Sequence, residues 1–288
     1  MKWALPAACV LAAATVTAQA PPDIDTVLTR VGARIAEYYK RAQNVVCLEK
    51  TTVQPVARDF SPNGFARVTE YELHVEADAE GEDRGDVKVV RDLLRVNGKA
   101  PREKDKKDRA GCTDANPLSS EPLSFLLPAH RSEYTFASGG AGKGKDRNTL
   151  IIEFTSGKPE GKGEIAEDPR GHEDCFTWSL PVVVKGRVWV DAASYEVVRV
   201  EQRMAGIADL TVSTQLQRKH NLEHIVVVER HDTVIRYKTI PFKDPDEAMI
   251  LPESIETLIV VRGGLESIRS RQTFTDYRRF LTAGRIVK

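Results

Sequence analysis

The chain has no excess of charge of either sign, since its 288 residues carry 42 lysines and arginines against 42 aspartates and glutamates. Domains that bind nucleic acid usually carry a marked surplus of basic side chains, so we expect no nucleic-acid partner. The alternation of strands with helices that builds a parallel sheet is also missing, and so is any repeat of fixed period. A Rossmann-like nucleotide-binding fold is therefore excluded.

The longest hydrophobic run of the chain lies at its N-terminus. The run from Ala4 to Thr17 follows Lys2 and precedes Ala18-Gln19-Ala20, which has the small-residue pattern of a signal-peptide cleavage site. A membrane anchor is the alternative, but a spanning helix needs about 20 apolar residues and this run is shorter. We predict a signal peptide over residues 1–20 that is cleaved near Ala20. The mature chain, residues 21–288, is then a single periplasmic or secreted domain and not an integral membrane protein.

Cysteine is scarce: the chain has four, and removal of the leader leaves Cys47, Cys112 and Cys175. In an oxidising compartment, one disulfide and one remaining thiol are expected. Cys112 and Cys175 both neighbour polar, loop-like sequence, whereas Cys47 lies in an apolar run. We therefore predict a Cys112–Cys175 disulfide. The alternative is three free thiols, with Cys47 as a small buried apolar residue.

Two helices are predicted. After Asp23, apolar residues recur at steps of three and four as far as about Gln43, which is typical of a long amphipathic helix. Ser119 or Ser120 begins a short helix with leucines on one face, and Pro128 ends it.

The rest of the chain is predicted to be mostly strands, because runs rich in β-branched and aromatic residues alternate with turn residues. One strand ends at the hairpin signal Asn97-Gly98, and another is predicted from Leu210 to Lys219. We predict an α+β fold in which a strongly curved antiparallel sheet, or half-barrel, has the long helix and the short helix packed over one face. Flexible insertions are expected near residues 99–112, 139–147 and 156–171.

Motifs that would indicate catalysis are weak. The segment from Gly139 to Asp146 nearly matches a phosphate-binding loop, but Asp146 replaces the hydroxyl that would bind Mg²⁺. The G-x-S-x-G signature of a strained serine nucleophile is missing, and His220 and His224 straddle an apparent turn. We predict no catalytic residues, no cofactor and no metal site.

A curved sheet with helices over one face can enclose an apolar space, and such spaces are frequent ligand sites. The alternative is that the same residues fill a closed core and leave no cavity. The candidates to line the space are Tyr71, Leu73, Val75, Leu94, Val96, Trp189, Val198, Val200, Leu258, Val260 and Phe274.

The layout resembles the exported lipoprotein-carrier (LolA/LolB-like) superfamily. The resemblance consists of a leader followed by a long helix, the hairpin over Arg187 to Glu201, and the closing strand over Phe274 to Phe280. It implies a half-open barrel with a helical lid that binds the acyl chains of lipoproteins, without catalytic residues or a cofactor.

From these features we expect an exported, non-catalytic protein that binds a lipid or the acyl chain of a lipoprotein in an apolar concavity of the sheet. Two alternatives remain. One is a secreted hydrolase with a dispersed active site, and the other is an envelope module that contacts a protein partner.

Overall fold

The computed structural model describes residues 23–42, 45–77, 87–103, 105, 121–143, 146, 148–167, 176–243 and 246–279. The predicted signal peptide and its cleavage site at Ala20 lie outside these residues. So do Cys112 and Cys175, and their disulfide stays a prediction. The side chain of Val75 is also outside the described part.

The predicted N-terminal helix is present as α1 (Ile24–Ala42). Asp23 caps it, because the Asp23 carboxylate accepts a hydrogen bond from the backbone N–H of Thr26 at 3.3 Å. The apolar positions spaced by three and four residues are buried, and Val31 is completely inaccessible to solvent. One face of α1 therefore packs against the rest of the domain.

The described part of the chain contains thirteen strands and a second, short α-helix, α2 (Thr214–His220). The strands are β1 (Val45–Pro55), β2 (Arg67–Ala77), β3 (Val87–Val96), β4 (Tyr134–Ala141), β5 (Thr149–Ser156), β6 (Gly163–Glu167), β7 (Phe176–Ser179), β8 (Val183–Asp191), β9 (Val197–Ala205), β10 (Ala208–Val212), β11 (Ile225–Lys243), β12 (Asp246–Arg262) and β13 (Ile268–Arg279). The predicted short apolar helix is a 3₁₀ helix, Glu121–Leu126.

All these strands belong to one sheet, with the order β3-β2-β1-β13-β12-β11-β9-β8-β5-β4. Strand β10 pairs with β11, β6 with β10, and β7 with β6. The β6–β10 pair is parallel, and the other pairs among the described strands are antiparallel. The order has two ends, at β3 and β4, so the sheet is not closed. The predicted α+β class with an open antiparallel half-barrel is confirmed.

One face of the sheet, which we call the inner face, carries α1 and the 3₁₀ helix. Residues directly opposite each other in neighbouring strands lie on the same face, and five such residues form an apolar row across β5, β8, β9, β11 and β12. The row packs against both helices in the first hydrophobic cluster. Its members are Ile152, Val188, Val200, Ile235 and Ile255.

A second hydrophobic cluster covers the other end of the inner face. It is built from β6, β10, α2 and the adjoining parts of β11 and β12, and Leu210 and Val226 are completely buried in it. Trp178 and Met204 pack against it. The inner face therefore carries two separate hydrophobic clusters, one at each end.

Two local predictions have different outcomes. Asn97 and Gly98 form the expected tight turn, with φ values of 48° and 76°, and Val96 and Lys99 exchange two backbone hydrogen bonds. The strand predicted from Leu210 to Lys219 is wrong after Val212. Ser213 caps α2 there by accepting a hydrogen bond from the backbone of Leu216, and the cap signal overrides the β-branched residues before it.

The predicted insertions are partly regular structure. Gly139–Ala141 is the end of β4, and Gly163–Glu167 is β6. Within the described ranges, none of the helices combines the length and the apolar character needed to cross a bilayer.

Candidate ligand cavity

A cavity of about 150 Å³ lies on the inner face between the two hydrophobic clusters. A volume of this size can hold a benzene-sized apolar group. Strands β8, β9 and β11 form one wall, and aromatic side chains form another. The described lining residues are Phe125, Tyr134, Phe154, Leu180, Val182, Val184, Gln202, Arg203, Met204, His231 and Thr233.

Three aromatic rings make up the apolar wall. The ring centroid of Phe154 lies 4.5 Å from that of Phe125 and 6.2 Å from that of Tyr134, which are favourable distances for tilted and edge-on contacts. Phe154 stands opposite Gly186 in the β5–β8 pairing. A Cβ atom at residue 186 would overlap the Phe154 ring, so this glycine leaves room for the ring to lie on the sheet.

The sheet wall carries three polar side chains. Gln202 and Thr233 stand directly opposite each other in β9 and β11, and His231 lies two residues before Thr233, on the same face. The Thr233 hydroxyl has one neighbour, the hydroxyl of Thr257 at 3.5 Å. Within the part of the chain that the structure describes, the Gln202 amide and the His231 ring make no hydrogen bond.

Burial governs the ionisation of His231. It lowers the pKa of the imidazole below its ordinary value, and the Asp232 carboxylate offsets this effect only in part. His231 is therefore neutral near pH 7. The charged residue in the described lining, Arg203, stands opposite Asp232 in the pairing and directs its side chain to the outer face.

The space under α1 is almost filled. A cavity of about 40 Å³ lies there, between α1 and β11–β12. Cys47 is completely buried in the first hydrophobic cluster, and burial, followed by the charge of Glu49, raises the pKa of its thiol to about 12. The Tyr277 hydroxyl donates a hydrogen bond of 2.6 Å to the carbonyl oxygen of Pro252. This end of the inner face is a packed core.

A buried polar network interrupts the inner face near β1. The Glu49 carboxylate is 1% exposed and accepts hydrogen bonds from Arg91 at 2.8 Å, from Gln272 at 3.0 Å and from Thr51 at 3.0 Å. Both carboxylate oxygens have partners, so the buried charge is compensated. The network holds β1, β3 and β13 together and leaves no free group for chemistry.

The opposite, outer face has a wide, polar groove of about 480 Å³ over β5, β8, β9 and β11. Charges of both signs line it, and Arg187 pairs with Glu153 at 2.9 Å. Among the residues that the structure describes, no group of three or more His, Cys, Asp or Glu side chains is placed to hold a metal ion.

The eleven residues predicted to line the concavity do not share one surface. Tyr71, Leu73, Val200 and Phe274 are buried on the inner face. The pairing registers place Trp189, Leu258 and Val260 on the outer face, where the Arg199 guanidinium stacks 4.0 Å above the Trp189 ring. Leu94 is exposed, and Val96 and Val198 are partly exposed.

The ten of these residues whose side chains are described do not border the three cavities above, and a ligand-binding role for all eleven stays a prediction. The residues of the 150 Å³ cavity were missed because they belong to different strands, whose pairing the sequence does not reveal. The available signal was local: Gly186 and Gln202 interrupt otherwise apolar inner-face positions of β8 and β9.

No protein-family model matches the sequence, and no curated protein is similar to it. Solved structures that match the chain include a DUF1329 family protein from Desulfovibrio piger. It is 9% identical, the match covers 90% of this chain and 94% of that one, and the TM-score is 0.42. A putative outer membrane lipoprotein-sorting protein domain from Vibrio parahaemolyticus is 13% identical. The match covers 88% of this chain and 93% of that one, and the TM-score is 0.34.

A LolA superfamily protein from Nitrosomonas europaea has 10% identity, coverage of 87% of this chain and 94% of that one, and a TM-score of 0.31. The structural neighbours thus include LolA superfamily proteins, as the sequence resemblance predicts.

Proposed function

We propose that the mature chain is an exported, non-catalytic protein that binds one acyl chain of a lipid or lipidated protein in the 150 Å³ cavity. The observation that supports this is the position of the cavity between two hydrophobic clusters, with aromatic side chains on one wall and Val184 and Met204 on the other. Burial of an acyl chain contributes about 0.8 kcal/mol per CH₂ group, so a few methylenes give measurable binding.

The sequence supports the location and the ligand class. The signal-peptide pattern over residues 1–20 leads to the cell envelope, where acyl lipids and lipoproteins are available. The sequence resemblance to LolA-like carriers implies the same ligand class.

The inner-face residues predicted from the sequence have a secondary place in this proposal. Leu73, Val200 and Phe274 lie in the same cluster as the buried face of α1. They would contact a ligand only if α1 moved away from the sheet. We therefore place the first contact with the ligand at the described cavity and not under α1.

The experiment is a titration of the mature protein with monodecanoyl glycerol, below its micelle concentration, in a calorimeter. Val184→Phe puts a large ring on the cavity wall and should weaken binding at least tenfold. Val234→Phe is the matched control, because it makes the same substitution on the outer face of the sheet. This variant should bind the lipid like the wild type.

Circular dichroism must show that both variants are folded. If the wild-type protein does not bind the lipid, or if folded Val184→Phe binds it as tightly as the wild type, the proposed site is wrong.

A second candidate function is contact with an envelope protein through the outer groove. The observation in its favour is the size of the groove and its lining of opposite charges, including Lys185, Arg187 and Glu201. A partner with alternating charges would fit it. Arg187→Glu should then abolish a cross-linked complex in periplasmic extract and leave acyl-chain binding unchanged.

A further inference from the structure

The polar side chains on the sheet wall of the cavity have unused hydrogen-bonding capacity. The Gln202 amide and the His231 ring have no hydrogen-bond partner within the described residues, and the Thr233 hydroxyl has only the long contact to Thr257. Gln202 and His231 are half-buried, and all three side chains line the apolar-walled cavity. Their donor and acceptor groups are therefore available to a ligand that enters it.

We infer that Gln202 and Thr233 bind the neutral carbonyl group of an acyl ester or acyl amide whose chain occupies the cavity. This inference rests on the proposed function, because it names the polar group to which the bound chain is attached.

Their relative position fits a single carbonyl oxygen. Residues directly opposite each other in an antiparallel pair have Cβ atoms about 5 Å apart, and Gln202 and Thr233 are such a pair. The amide N–H of Gln202 and the hydroxyl of Thr233 can both donate. A carbonyl oxygen has two lone pairs and can accept from both.

The wall favours a neutral head group. Arg203, the charged residue among the described lining, faces the other side of the sheet. His231 is neutral near pH 7 because burial lowers its pKa. A free carboxylate would enter this space without a countercharge, which is costly.

The test compares four ligands with similar chains: methyl octanoate, N-methyloctanamide, n-octane and sodium octanoate. Each is titrated into the wild-type protein at pH 7.5. A net hydrogen bond is worth roughly a fivefold change in affinity, so we expect the ester and the amide to bind at least tenfold more tightly than the alkane and the carboxylate. The ester stands for a glycerolipid and the amide for an N-acylated protein. The ligand of these two that binds more tightly identifies the source of the acyl chain.

Two variants remove the donors with little change in volume. Thr233→Val and Gln202→Met should each reduce the preference for ester over alkane about fivefold and leave the affinity for octane unchanged. Thr239→Val is the matched control, because Thr239 is an exposed threonine of the same strand and does not line the cavity, and it should keep the preference.

The outcomes separate this inference from the proposed function. Equal binding of ester, amide and alkane, or tighter binding of octanoate, overturns carbonyl recognition and leaves acyl-chain binding intact. A preference that survives in both folded donor variants also overturns it. If none of the four ligands binds, the proposed function fails, and carbonyl recognition fails with it.

Discussion

The ring of Phe154 lies on the backbone of Gly186, which stands opposite it in the neighbouring strand. A Cβ atom at residue 186 would overlap both the ring and the carbonyl oxygen of Glu201. Phe154 in turn contacts Phe125 and Tyr134. The absence of a Cβ atom at Gly186 in β8 thus determines the position of the aromatic wall of the cavity.

We therefore expect Gly186→Ala to destabilise the protein by about 1–3 kcal/mol, the usual range for overpacking. Unfolding in urea, followed by circular dichroism, measures this change. Gly157→Ala is the matched control, because a Cβ atom there would meet only the Glu133 carbonyl oxygen, at 3.3 Å. If both variants have the same free energy of unfolding, the close contact between Phe154 and Gly186 is wrong.

The second prediction concerns the buried pair of Glu49 and Arg91. Glu49→Met removes one partner and leaves the Arg91 guanidinium, whose side chain is 13% exposed, without its carboxylate. Loss of one member of a buried pair costs about 3–5 kcal/mol, and we expect a decrease of this size in the free energy of unfolding.

The double variant with Glu49→Met and Arg91→Met tests the cause. It also removes the guanidinium that Glu49→Met deprives of this carboxylate, so it should be more stable than Glu49→Met alone, as measured in the same urea experiment. Arg91→Met alone completes the comparison: a double variant whose loss equals the sum of the losses in Glu49→Met and Arg91→Met would show that the two side chains do not interact.

The general architecture could be predicted because it depends on local patterns. The spacing of Val27, Val31 and Ile35 predicts α1, and the Asn97-Gly98 pair predicts its turn. The period of two in the later runs predicts antiparallel strands with one buried face. Each of these signals lies within a few residues of the chain.

The cavity could not be predicted because its residues become neighbours only through pairing. Gln202 faces Thr233 because β9 pairs with β11 in one register, and a shift of one residue would put them on opposite faces. The distribution of the predicted lining residues over both faces of the sheet has the same origin. Leu258 and Val260 lie on the outer face, whereas Ile255 and Thr257 lie on the inner face. An apolar side chain alone therefore does not show which face of the sheet it occupies.

The third prediction concerns Cys47. Burial raises the pKa of its thiol to about 12, so the reactive thiolate is scarce at pH 8.5 and the sulfur is inaccessible. Cys47 should resist iodoacetamide for hours in the native state and react within minutes in 6 M guanidinium. Peptide mapping by mass spectrometry separates Cys47 from the other cysteines.

An exposed thiol on the same strand provides the comparison. Lys50 is exposed in β1, so the Lys50→Cys variant should be alkylated at residue 50 within minutes under native conditions. Equal labelling of residues 47 and 50 in the native state would contradict the buried position of Cys47.

The last prediction concerns the dependence of stability on pH. The pKa of His231 is lower in the folded protein than in the unfolded chain, where it is about 6.5. As the pH falls below about 6.5, the unfolded chain binds a proton before the folded protein does, so the free energy of unfolding decreases. The decrease ends once the pH is below the folded-state pKa.

His231→Gln removes this proton and should flatten the curve of unfolding free energy below about pH 6.5. His224→Gln is the control for removal of a histidine from an exposed position, and the slope of His231→Gln is compared with it. The remaining histidines are common to all three proteins, so the difference between the slopes isolates His231. A wild-type slope in His231→Gln would mean that burial in the cavity wall does not affect its protonation, and that the imidazole is charged at the same pH in both states.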